Sequence, residues 1–151
     1  MKEEKMENIV CPISDERVDE NVVRAIAFFA LTIIIFGYYT ESSVIFVSLA
    51  ADFALRAFTS GKFSPLKKIA LMLSKTSEAE PKLIDAAPKK FSAGLGFVFC
   101  ITIAALHITG FAITADIAAG VLLICAMLES FLGFCLGCQI YTVLKKFNII
   151  K

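Results

Sequence analysis

The chain has 151 residues, 58% of them hydrophobic and 19% charged, with a mean hydropathy of +0.77. A soluble domain is nearer half apolar and a quarter charged, so the composition points to an integral membrane protein of one domain and excludes disorder. The net charge of +1 excludes nucleic acid as the main partner, and five cysteines, too few and odd in number, exclude a secreted disulfide scaffold.

Residues 1–20 read as a polar arm. Lys2, Glu3, Glu4, Lys5 and Glu7 lead into no apolar core, so this is not a signal peptide. Apolar stretches follow at about 22–39, 43–58 and 91–111. A fourth begins at 113 and extends to 144, with a span predicted over 113–140. A membrane-spanning helix needs about 20 residues, so the second stretch is short and leans on polar flanks or local thinning of the bilayer. Tight connections at Tyr38–Ser43 and Thr109–Thr114 turn the four into two hairpins. Between them lies a polar loop, 59–90. There Ser64-Pro65 is a helix start, and Leu66, Ile69, Ala70 and Leu73 share a face. The spacing predicts a short amphipathic helix over 65–76 on the membrane surface.

The fold expected is therefore all-α: an integral membrane four-helix bundle of two transmembrane hairpins, with a short cytoplasmic amphipathic helix between them. All 15 Lys and Arg fall on one side of this layout. Both termini and the central loop, including the 145–151 tail, are then expected in the cytoplasm. Glu41 and Asp116 mark the outward turns.

Two kinds of residue carry candidate chemistry. Cys135 and Cys138 form Cys-Leu-Gly-Cys near the end of the fourth stretch, and the spacing puts both sulfurs on one helical face. Such a pair suits a reversible disulfide, in which one thiolate attacks and the other resolves. Cys11, in the arm on the same side, is a candidate mobile partner thiol. Half of a zinc site is the alternative, with Cys11, Cys135 and Cys138 as ligands, but no fourth ligand is evident and the single His107 is expected on the far side. A third reading is plain helix packing, with Gly133 and Gly137 as a small-xxx-small pattern. Cys100 and Cys125 read as core filler. Asp52 and Arg56 stand four apart within the second span and read as an intramembrane ion pair. Glu129 has no partner in its own helix and is a candidate proton relay to the thiols, or a hydrogen-bonding group to a neighbouring helix.

Gly-Phe-Cys-Leu-Gly-Cys-Gln-Ile-Tyr at 133–141 resembles the C-terminal signature of a bacterial membrane family, the domain of unknown function 4395. Cys11-Pro12, the run Asp15–Arg24, Phe63-Ser64-Pro65-Leu66 and Pro88-Lys89-Lys90-Phe91 also fit it. The resemblance covers nearly all of the chain past the first ten residues. It implies a small multi-spanning protein of the bacterial plasma membrane, and it carries over to Cys135, Gly137, Cys138, Tyr141 and Cys11. Relatives are often encoded near thioredoxin-like and sulfurtransferase proteins, which implies a partner of that kind.

The function expected is handling of thiol, disulfide or persulfide sulfur at the cytoplasmic membrane face, as an oxidoreductase or a sulfur carrier. A transporter or transporter subunit for a small sulfur species or ion is the alternative; it rests on Asp52, Arg56 and Glu129, and four spans would then require a homo-oligomer. No cofactor is expected, since there is no nucleotide-binding glycine loop and no haem-type His pair. The lipid bilayer is the one partner that composition implies.

Overall fold

The computed structural model describes residues 17–59, 61–76, 80 and 82–149. The arm up to residue 16, and with it Cys11, lies outside the described residues. Among the described residues the fold is all-α apart from one short ribbon. Strand β1 (Arg17–Asp19) pairs antiparallel with β2 (Leu83–Asp85), with Val18 opposite Ile84. Three-residue strands leave no readable alternation, which is why these residues read as polar arm and polar loop. The ribbon is extended by Glu20 N–H donating to the Lys82 carbonyl (2.8 Å) and by a Lys82–Glu20 ion pair (2.8 Å).

Helix α1 (Glu20–Thr40) starts where Asp19 accepts a hydrogen bond from the Asn21 N–H (2.9 Å), an N-cap that satisfies one of the orphan donors of the first turn. It stops at Glu41, which takes a left-handed conformation (φ 48°), and α2 (Ser43–Phe58) folds back from there. Helix α3 is Pro65–Thr76. Helix α4 is Ala86–Ile108 and begins before the apolar stretch; Pro88 is tolerated because it falls in the first turn, where N–H groups lack partners anyway. Helix α5 (Ala112–Met127) continues into a single π-helical turn (Leu128–Leu132), and a separate helix α6 (Leu136–Lys146) follows.

Among the described residues, three segments are long and apolar enough to cross a membrane: Glu20–Thr40, Ala86–Ile108 and Ala112–Leu132. Helix α2, at 16 residues, reaches about 24 Å at about 1.5 Å per residue, short of a hydrocarbon core of about 30 Å. The side chains these helices turn outward are apolar, among them Phe28, Phe36, Val98, Ile101, Ile117 and Ile124. Water would penalise that surface, and lipid does not. Inside, Ile34, Phe46, Leu49, Cys100, Ile103 and Ala115 form the core, with α2 laid along α4. His107 stacks on the Phe46 ring (centroids 5.9 Å apart) at the far end from the thiols. A second small cluster joins α3 to α1 through Ala70, Val22 and Ile26. Leu66 and Ala70 thus pack inward, while Ile69 and Leu73 stay exposed.

The continuous helix expected over 113–140 is corrected: the segment long and apolar enough to cross a membrane ends at Leu132, and a separate helix follows. Gly133 adopts φ +66°, a conformation open to glycine, and its N–H and that of Phe134 close on the Glu129 and Leu128 carbonyls (3.1 and 3.2 Å). Hydropathy does not register this break, because glycine is common inside membrane helices.

Candidate thiol site

The break at Gly133 makes the site. With the chain stopped there, Cys135 becomes the N-cap residue of α6 and Cys138 falls in its first turn. The Cys135 Sγ accepts the Cys138 backbone N–H (3.4 Å) and lies 3.1 Å from the Ser92 Oγ of α4. Cys135 is buried and Cys138 half-buried, and both are free thiols. They are therefore not two sulfurs along one continuous helix, as the spacing predicted. One sulfur caps the helix and the other follows within the same turn.

This geometry favours the thiolate at Cys135. The Cys138 thiol donates a hydrogen bond to it, Ser92 can donate another, and Lys89 adds positive charge. Together these outweigh burial and the nearby Glu129 charge and bring the Cys135 thiol down to about 7. Exposed N–H groups at the start of α6 point the same way. Cys138 is pushed up, first because its hydrogen is held by Cys135 and then by burial. One proton is thus shared unequally, with Cys135 the sulfur that gives it up first.

Glu129 is not alone. Lys89 reaches across from α4 to its Oε1 (2.7 Å), so the pair is charge-compensated and lies at the end of the span, not in its middle. No sequence pattern could show this partner, 40 positions away. Arg24 of α1, also missed, donates from Nε to the Ser130 carbonyl (3.2 Å) and from Nη2 to the Phe131 carbonyl (2.8 Å). It satisfies carbonyls that the broken helix leaves open. Lys89 and Arg24 both stand in segments on which the family resemblance rests, but nothing there assigns them a task.

Asp52 and Arg56 are in contact as expected (Arg56 Nε to Asp52 Oδ2, 2.9 Å), and the cluster includes a residue that spacing did not reveal. Ser64, fully buried, donates to Asp52 Oδ1 (2.6 Å) while accepting the Lys67 N–H as N-cap of α3 (3.3 Å). The ion pair therefore anchors the start of the central helix. The Arg56 guanidinium lies over the Phe53 ring, 4.3 Å from its centroid.

Gly133 and Gly137 do different work. Gly133 reverses the chain. Gly137 lets α6 reach α4, since a Cβ there would come within 2.9 Å of the Ser92 backbone. Tyr141 packs on Phe91 (centroids 5.5 Å apart) one turn further on. Cys125, read as core filler, lines the same cavity as Cys135, because the chain turns back. Cys100 is core. Among the described residues no three His, Cys, Asp or Glu side chains gather as a metal-ligating group, and Cys11 lies outside them.

No curated protein and no solved structure matches the chain. A family model does: that of the domain of unknown function 4395 covers residues 18–146, including α6 and both of its cysteines. The chain belongs to that family.

Proposed function

We propose that this membrane protein carries out thiol–disulfide exchange at its Cys135–Cys138 pair. The observation that carries the reading is Cys135 as N-cap of α6, its sulfur within reach of the Cys138 N–H, the Cys138 thiol and Ser92. The exchange balances. The Cys135 thiolate attacks one sulfur of a substrate disulfide, forming a mixed disulfide and expelling the other sulfur as thiolate. Cys138, having lost its proton, then displaces the first half and closes the Cys135–Cys138 disulfide. Two electrons pass from the protein to the substrate, and a dithiol reductant returns the pair to its starting state.

In this reading α1, α2, α4 and α5 form four crossings, and the thiols sit at the cytoplasmic end. The absence of Lys and Arg from the two hairpin turns, at 41–42 and 109–111, supports the orientation, and the exposed apolar face of α3 suits a helix in the interface. A thioredoxin-like dithiol protein of the cytosol fits as the reductant.

The test is thiol trapping in native membranes with a maleimide that shifts the gel band. Wild type treated with a small disulfide is expected to protect two thiols until reduction, and Cys138→Ser is expected to accumulate the mixed disulfide. Slow, ordinary reactivity at Cys135 in every condition would return the pair to helix packing. The transport reading has the cavity beside Arg56 and Glu129 in its favour; proteoliposome flux that survives Cys135→Ser and Cys138→Ser would select it.

A further inference from the structure

Two cavities, of about 230 and 320 Å³, adjoin in the half of the bundle that holds the thiols, and Arg56, Ser92 and Glu129 line both. The first is bordered by Arg17 and Lys67 at its outer end, and the second reaches Cys135. Their walls are otherwise mostly apolar. A space of about 300 Å³ with few polar groups is the size of a small-molecule pocket.

Arg56 lines both cavities, and its guanidinium is incompletely paired. Its Nε lies against Asp52, in ionic contact but not aligned as a hydrogen bond. Its Nη2 is buried and finds no hydrogen-bond acceptor among the described residues. A buried donor without an acceptor is costly, and rare unless a ligand completes it. The other charge at the junction, Glu129, is paired with Lys89 (2.7 Å), which lessens its repulsion of an anion there.

We propose that Arg56 is an anion-recognition point that holds a small disulfide or thiosulfonate, bearing a carboxylate or sulfonate, with its sulfur toward Cys135. This rests on the thiol reading above and names its substrate class. The guanidinium grips the anionic end in the manner of a charge-assisted hydrogen bond, and the apolar wall accommodates the carbon stem. The covalent step is the exchange already written. With a thiosulfonate, the Cys135 thiolate forms a mixed disulfide and the sulfinate leaves with the electron pair.

The test uses full-length protein in lipid nanodiscs carrying Cys138→Ser, so that the mixed disulfide persists. Labelling of Cys135 by sulfonatoethyl and by trimethylammonioethyl methanethiosulfonate is followed by mass spectrometry. The anionic reagent is expected to react about tenfold faster, the scale of one charge-assisted hydrogen bond. That ratio should fall to about one in Asp52→Asn with Arg56→Gln, a pair chosen to leave no buried charge uncompensated. Arg56→Lys should keep part of it. Methanesulfonate should slow the anionic reagent on the otherwise unaltered protein, an arm that needs no Arg56 substitution. Equal rates for the two reagents, or no slowing by methanesulfonate, overturn the anion assignment and leave the thiol reading standing. Failure of every reagent to label Cys135 overturns both.

Discussion

At the scale of the residue, the site turns on how one proton is divided between two sulfurs. With Cys135 held down to about 7, its thiolate fraction should rise through neutral pH and level off above it. An ordinary thiol would still be climbing at about pH 8.5. Iodoacetamide labelling of Cys135 against pH, in a Cys138-intact protein, should therefore have its midpoint near 7. Ser92→Ala should move that midpoint upward, since it removes a donor to the thiolate. The Asp52–Arg56 pair obeys a different rule. Removing one member leaves a buried charge exposed to low dielectric, so Asp52→Ala should destabilise by about 3–5 kcal/mol. Replacing both by Asn and Gln should cost less than the sum of the two single changes, and thermal melts of the four proteins in one detergent would measure the coupling. Asp52→Ala also strips Ser64 of its acceptor, so protease cutting within the loop before α3 should increase.

Among the elements, the decisive one is the shortest reversal. Gly133 holds φ +66°, and a Cβ there would also meet Glu20 Oε1 at 2.9 Å. Gly133→Ala should thus cost about 1–2 kcal/mol in backbone strain alone. Gly137→Ala acts differently: the added methyl pushes α6 off α4, at about 1–3 kcal/mol for overpacking, and parts Cys135 from Ser92. Its signature is a Cys135 that reacts more like a free thiol while the protein remains folded, separable from Gly133→Ala by comparing melting temperature with labelling rate. Much at this scale was legible beforehand. The Ser64-Pro65 start and the four-residue step from Asp52 to Arg56 are local patterns, and local patterns survive into structure. What was not legible is long in sequence. Lys89 meets Glu129, Arg24 meets Ser130, and Ser92 meets Cys135 only after the helices are packed. The two glycines looked equivalent because spacing alone cannot tell a reversal from a close approach. The end of the fourth span was misplaced for the same reason, since an apolar segment has the same hydropathy on either side of a turn.

On the scale of the whole molecule, the short α2 and the ribbon between β1 and β2 both tie the thiol end together, whereas the opposite end holds little beyond the turns after α1 and α4 and the ring of His107. The chemistry is concentrated in one half of the bundle, where the two cavities adjoin, one lined in part by Arg17 and Lys67 and the other by Cys135. If the proposed exchange runs at this end, it has an energetic consequence. Substrate, thiolate and released proton would all be exchanged with the same aqueous phase, with no charge carried through the low-dielectric layer between the two faces. A unit charge moved across 100 mV is worth about 2.3 kcal/mol, and none of that work enters here. Turnover in sealed vesicles is accordingly expected to be voltage-blind. Collapsing the membrane potential with a potassium ionophore should leave the rate of disulfide exchange unchanged, which separates this protein from redox carriers that drive, or are driven by, the potential across their membrane.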